Sequence, residues 1–227
     1  MALQLSRAAV ARTVPFAAFM ILLVVRGELP ADGSWGGIDP RWVYGVAVLV
    51  VGAALAWFWR EYGELVPQTL PSGSEVALGI GVGIAVGGLW VVLDAPWMRI
   101  GEPSASFVPT DAAGALIWPL IVLRWIGATL LVPVMEELFW RSFLMRWLQS
   151  PQFEAVVPQR IGLKAIVLST FVFMLAHTLW LAAVIAGLAY AWLYVRTGKL
   201  WVPILAHAVT NGLLGIWVVR TQQWAFW

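Results

Sequence analysis

Two adjacent carboxylates, Glu136 and Glu137, followed by Arg141, interrupt a run from Leu130 to Met145 that is otherwise almost wholly apolar. Ionised groups at hydrocarbon depth cost about 2.5–3.5 kcal/mol each on insertion scales, so they are rare there and usually functional. The chain has 2 histidines, His177 and His207, in equally apolar surroundings, and Asn211 lies one helical turn beyond the second. A carboxylate near an imidazole can activate water as a general base. A second imidazole with an amide donor can hold the oxyanion of a tetrahedral intermediate. Glu136, His177 and His207 could alternatively ligate Zn²⁺ with an open position for water. Either arrangement would hydrolyse a peptide bond with water as nucleophile. The chain has 0 cysteines, which excludes a thiol nucleophile, and no serine stands in a nucleophile motif.

These side chains need helices to position them. Residues four apart share a helical face, so Glu137 can pair with Arg141. Glu136 is turned about 100° from Glu137, which assigns the two carboxylates different jobs: one held by arginine, one free for chemistry. Pro133 removes a backbone hydrogen bond just upstream and predicts a kink that admits water. Phe173 stands one turn before His177, and His207 with Asn211 forms an i, i+4 polar pair on one face. Arg124, inside an apolar stretch, is expected to pair within the bundle or snorkel, with lining a cavity and meeting a carboxylate as the sharper alternative.

The 227 residues are 61% hydrophobic and 11% charged, too apolar for a soluble fold of this size to hide, so lipid is the solvent. Apolar runs at 8–25, 42–59, 76–93, 112–135, 161–179, 181–197 and 202–219 predict seven spans, or eight if 138–149 folds separately from the fourth helix. The expected fold is all-α, a polytopic bundle of seven to eight spans in a single integral-membrane domain over 1–227. Within it, 1–111 supplies variable N-terminal spans and 112–219 the motif-bearing core. Arg7 and Arg12 before the first apolar stretch resemble a signal sequence, but no small-residue cleavage site follows, so a retained helix is expected.

Breaks between spans carry turn chemistry: Pro30, Asp32, Gly33 and Asp39; then Pro67, Pro71 and Gly73; then Pro96, Gly101, Pro103 and Pro109. Gly79, Gly83 and Gly87 form a stripe suited to close helix contact. Many of the 16 tryptophans end apolar runs, as in an interfacial belt: Trp35, Trp42, Trp57, Trp59, Trp97, Trp201, Trp224 and Trp227. Trp118, Trp125 and Trp180 are expected to pack in the core. With the N-terminus inside, nine lysines and arginines fall in inner segments against four in outer ones, which favours a cytoplasmic N-terminus. A net charge of +2, widely scattered, gives no case for nucleic acid. The expected partners are membrane lipid and a membrane-associated protein or peptide.

Three motifs in order carry a resemblance. Glu-Glu-x-x-x-Arg at 136–141, Phe-x-x-x-His at 173–177 and His-x-x-x-Asn at 207–211 resemble those of the CAAX-type and bacteriocin-processing intramembrane endopeptidases, which include the Ras-converting proteases. The approach to the third motif, from Tyr194 through Thr197, Gly198, Leu200, Trp201 and Pro203 to His207, is similar as well. The expected location is a bacterial inner membrane; the resemblance covers about 130–215 and implies a membrane-embedded protease. It implies Glu136 as the water-activating carboxylate with His177, Glu137 and Arg141 as support beside Phe173, and His207 with Asn211 on the oxyanion or metal side. The family has been described both as glutamate-dependent and as metalloprotease, so zinc stays open. The residues also admit a non-catalytic scaffold or immunity protein, and a carrier using His177 and His207 as haem or metal ligands.

One geometric demand follows. His177 would lie about 24 Å from the start of its span and His207 only about 8 Å from the start of its own. Straight antiparallel helices would hold them apart, so the segment 161–177 is expected to start outside the hydrocarbon or to be strongly inclined.

Overall fold

A computed structural model describes residues 6–30, 36–37, 39–101 and 107–227. The expected turn residues Asp32, Gly33 and Pro103 and the interfacial Trp35 lie outside the described residues. The described residues form seven main helices: α1 Arg7–Glu28, α2 Val43–Trp57, α3 Gly73–Val92, α4 Trp118–Gln149, α5 Leu163–Leu175, α6 Trp180–Thr197 and α7 Trp201–Thr221. Local signals start and stop them. Ser6 caps α1, accepting from the Ala9 N–H at 3.2 Å, and Ser72 with Glu75 forms a capping box on α3. Gly198, at φ +71°, ends α6 in the left-handed conformation that glycine adopts without steric cost.

Six of these helices, α2 being counted with the 3-10 turn Pro40–Trp42 that leads into it, are long and apolar enough to cross a membrane. The expected count of seven to eight is higher for two reasons. The piece 138–149 continues α4, giving one helix of 32 residues rather than two. The predicted span 161–179 folds as α5, only 13 residues or about 20 Å long, short of the roughly 30 Å hydrocarbon core. That shortness answers the geometric demand in part: α5 stops at Leu175, so His177 stands in the break after it instead of deep in a long helix. The break is pinned from outside, because the Ile100 N–H donates to the Thr178 carbonyl at 2.8 Å and Arg99 bridges Leu179.

The glycine stripe is a helix contact. A Cβ on Gly79 would lie 3.2 Å from the Val202 carbonyl oxygen, and one on Gly83 would run into the carbonyl of Ala206. Close backbone approach of α3 to α7 therefore depends on these two positions lacking side chains. Lys199 reinforces the contact, its Nζ lying 2.8 Å from Glu75 at the start of α3.

Helix α4 is not uniform. Gly127–Leu131 and Leu138–Met145 are π-helical, flanking a short α-helical piece, Val132–Glu137, that carries Pro133 and both glutamates. Proline cannot donate to the carbonyl four residues back and its ring crowds that carbonyl. The wide turn immediately before Pro133 relieves this. At the other end of α4, Arg12 of α1 is buried. Its guanidinium pairs with Glu64 at 2.5 Å and donates to Ser142 at 2.9 Å, and Ser142 also donates to Glu64. Tyr62 adds a 2.8 Å bond to the Ala11 carbonyl. These contacts tie α1 and the turn after α2 to α4.

The aromatic residues divide as expected in part. Trp42, Trp57, Trp59 and Trp97 are exposed. Trp125 packs inward and donates to the Gly212 carbonyl at 3.0 Å. Two expectations reverse. Trp118, read as core, is 58% exposed at the start of α4. Trp227, read as interfacial, folds back through the turn Trp224–Phe226 and packs against Phe107.

Candidate active site

Glu137 is the hub. It is 0% exposed, and its Oε1 accepts from Arg141 Nη1 at 3.2 Å and lies 2.9 Å from His207 Nδ1. Its Oε2 stands 3.1 Å from Arg141 Nε, an ion-pair contact without hydrogen-bond geometry. The predicted i, i+4 pairing of Glu137 with Arg141 is present. The bond to His207 was not foreseen, because it joins helices 70 positions apart. Arg141 is itself enclosed: it lies over the Phe173 and Tyr190 rings at 4.8 and 5.4 Å and donates to the Gly187 carbonyl at 3.3 Å. A Cβ on Gly187 would come within 2.8 Å of Thr170.

His207 is fixed on a second side by Tyr190, stacked at 5.0 Å and 21°. The Tyr190 hydroxyl donates to Thr210 at 2.8 Å, and Thr210 donates to the Gly83 carbonyl at 2.9 Å. The glycine contact between α3 and α7 thereby reaches the imidazole through two side chains. Sequence reasoning missed Tyr190 and Thr210. The only available signal was their polar tips in apolar helices, since a buried hydroxyl requires a partner.

His177 has Nδ1 2.8 Å from the Phe173 carbonyl oxygen, and its ring leans on Phe173 at 4.4 Å and Trp90 at 5.6 Å. A carbonyl only accepts, so Nδ1 carries the proton and Nε2 bears the lone pair of the neutral ring. In His207 the Nδ1 likewise faces an acceptor, the Glu137 carboxylate. Each imidazole therefore has Nε2 available for anything in the cavity.

Glu136 is half-buried and accepts from the Trp140 indole at 3.3 Å. Turned from Glu137 as predicted, it lines a cavity of about 220 Å³ together with His177, His207 and Asn211. The four residues that the sequence singled out for direct chemistry thus share one chamber. The Asn211 amide donates to the Ala128 carbonyl at 2.9 Å, leaving its second N–H. Phe173 and Tyr190 form part of the wall, whereas Glu137 and Arg141 stand behind it. Arg124 also lines the chamber, over Tyr44 at 4.7 Å, and makes no ion pair among the described residues, contrary to the pairing expected of it.

Zinc finds no ready seat. Among the described residues, no three histidine, aspartate or glutamate side chains stand close enough to share a cation. The set Glu136, His177 and His207, which the residue types permit, lines the chamber without converging on a metal position.

Fold and site together define a polytopic helical membrane protein with a chamber between its helices, where Glu136, His177, His207 and Asn211 stand among apolar side chains. Residues 118–213 match the family model of the Rce1-like proteins, described as type II CAAX prenyl endopeptidases, the family that the three motifs resemble. The match supports a membrane protease and begins at the N-terminus of α4, so that it includes Arg124. No curated protein and no solved structure matches the chain.

Proposed function

We propose that this protein hydrolyses a peptide bond of a membrane-associated protein or peptide, using water activated in the chamber lined by Glu136, His177, His207 and Asn211. The observation that carries the reading is their joint presence in that chamber, with a charged scaffold behind them. Glu136 takes a proton from water as the oxygen attacks the carbonyl carbon, and His177 Nε2 orients that water. The resulting oxyanion receives the second Asn211 N–H and, when it carries a proton, His207 Nε2. Collapse of the intermediate breaks the carbon–nitrogen bond. The leaving amine takes the proton from Glu136, which restores the carboxylate. No step needs a metal.

Glu137 and Arg141 act through His207. A charge that must stay ionised in an apolar interior is held by its opposite, and the imidazole is oriented by the same oxygen. The reading keeps the N-terminus on the cytoplasmic side of a bacterial inner membrane, supported by the distribution of lysine and arginine in the loops. The test is cleavage by purified protein reconstituted in liposomes with a mixed pool of C-terminally varied peptides, scored by mass spectrometry. Cleavage by the wild type, reduced at least about 100-fold in Glu136→Gln with insertion unchanged, is expected. Equal cleavage by both would remove the general-base assignment.

A further inference from the structure

The chamber that holds Glu136 measures about 220 Å³, below the roughly 300 Å³ at which ligand pockets begin. Beside it lies a second cavity of about 600 Å³, between the break after α5 and the end of α1, where Arg26 and Glu28 line it. Arg124, His177 and Trp227 border both spaces and so form the partition between them. Arg124 is fixed within α4, and His177 stands in a break that Ile100 pins from outside. Trp227 is held differently. It reaches the partition through the turn that follows α7, and it can leave without any helix unwinding.

Gln222 closes α7 at φ +57° and is the only residue besides glycine with positive φ among the described residues. A side chain makes that left-handed conformation unfavourable, and it persists where the surrounding packing holds it. The conformation turns the chain back on the bundle. The backbone bonds that follow are local: Trp224 and Phe226 donate to the Gln222 and Gln223 carbonyls at 3.0 and 3.2 Å, and Trp227 to that of Trp224 at 3.0 Å. Toward the bundle the segment presents rings. Phe226 stands edge-on to Trp217 at 5.0 Å, and Trp227 edge-on to Phe107 at 6.1 Å, with the Arg124 guanidinium 5.7 Å from its ring. Trp227 also lies against α7, where a Cβ on Gly215 would stand 3.4 Å from it.

We propose that residues 222–227 are an autoinhibitory plug: Phe226 and Trp227 close the chamber, and release of the turn at Gln222 joins it to the outer cavity. With the plug in place the chamber is below ligand size. With it withdrawn, the two spaces form one cleft that leads from the end of α1 to Glu136. Ring contacts of this kind part at lower cost than a buried ion pair, so the closure is reversible where the Glu137–Arg141 hub behind it is not. Closing segments that admit substrate only on opening are a general means of gating an enclosed site. The inference concerns access alone, goes beyond the peptidase reading and does not depend on it.

The test measures access without turnover. The chain has 0 cysteines, so Val132→Cys, in the chamber wall and 7% exposed, places a single thiol inside the closed space. The full chain in neutral detergent is treated with N-ethylmaleimide, and the adduct is followed by mass spectrometry. Labelling of Val132→Cys is expected to be slow with the native tail and at least about 10-fold faster when Trp227→Ala is added. Trp227→Phe, which keeps a ring in the partition, should stay near the slow rate. A thiol at Met145→Cys, 0% exposed and outside the chamber, is the control and should label equally slowly with either tail. Equal rates at Val132→Cys with and without Trp227→Ala overturn the plug, as does a Trp227→Phe rate that matches Trp227→Ala. An acceleration shared by Met145→Cys means that the whole bundle has loosened, and the assignment fails. A gated thiol in a protein that cleaves no peptide would count against the peptidase reading alone, and cleavage by a chamber that is never closed against the plug alone.

Discussion

Oε1 of Glu137 lies 2.9 Å from Nδ1 of His207, and the same carboxylate is held from the other side by Arg141. One oxygen atom therefore fixes both the charge of a buried arginine and the orientation of an imidazole from another helix. The consequence for Glu137→Gln is structural. The amide cannot neutralise Arg141, which would remain as a lone cation between Phe173 and Tyr190. Breaking a buried pair in this way costs about 3–5 kcal/mol. Denaturation in detergent should show that loss for Glu137→Gln, partly recovered when Arg141→Met is added. Equal stability of wild type and single variant would refute the hub.

Tyr190 separates two contributions to the placement of His207. Tyr190→Phe keeps the stacked ring and deletes the hydroxyl that donates to Thr210, a loss of about 1 kcal/mol with most turnover retained. Tyr190→Ala removes the ring as well and should cost about 3–5 kcal/mol together with nearly all turnover. Melting curves and peptide cleavage, measured on the same preparations, check both. Identical behaviour of the two variants would deny the stacked ring its part.

Gly83→Ala should be disproportionately harmful for a single methyl group. The added carbon meets the Ala206 carbonyl, which is backbone one residue before His207 and cannot swing aside. Overpacking of this kind costs about 1–3 kcal/mol. Gly88→Ala in the same helix, where the added carbon meets nothing within 4 Å, is the control and should be neutral. A control as unstable as Gly83→Ala would dissolve the argument from close approach.

The Glu64 cluster predicts an acid limb in stability. Burial raises the Glu64 carboxyl, but the neighbouring Arg12 charge and the hydrogen bonds from Arg12 and Ser142 outweigh it, so the folded group ionises below its ordinary value. A depressed carboxylate stabilises fully above its unfolded pKa, about 4.3, and that contribution disappears as pH falls through the lower folded value. Wild-type protein should therefore exceed Glu64→Gln in melting temperature near neutral pH, and the gap should close in acid. A gap independent of pH would contradict the linkage.

Much of this arrangement was legible in the residues. Charged groups in hydrocarbon are conspicuous because the surroundings are uniform, so Glu136, Glu137, Arg141 and both histidines declared themselves. Helical spacing then gave the Glu137–Arg141 pair and the turn of Glu136 away from Glu137. Contacts between helices were not legible. The Glu137–His207 bond, the stacking of Tyr190 and the Arg12–Glu64–Ser142 cluster each join elements whose relative placement is set by packing, and hydropathy carries no information on packing. The length of α5 was hidden for a related reason: its apolar run continues past Leu175, and the stop comes from Ile100 pairing with Thr178. Trp227 went the wrong way because a terminal tryptophan looks the same whether it faces lipid or folds back under its own bundle.

The wide turn at Gly127–Leu131 has a further consequence for phase. In an unbroken α-helix, positions 124 and 136 would be rotated roughly 120° apart, since each residue advances about 100°. A turn closed by longer hydrogen bonds takes more residues per revolution, so rotation per residue drops and Arg124 and Glu136 come round to one wall. The stretch works as a gearbox between two registers: deleting a single residue from it would leave both side chains in the sequence and turn one of them away from the other.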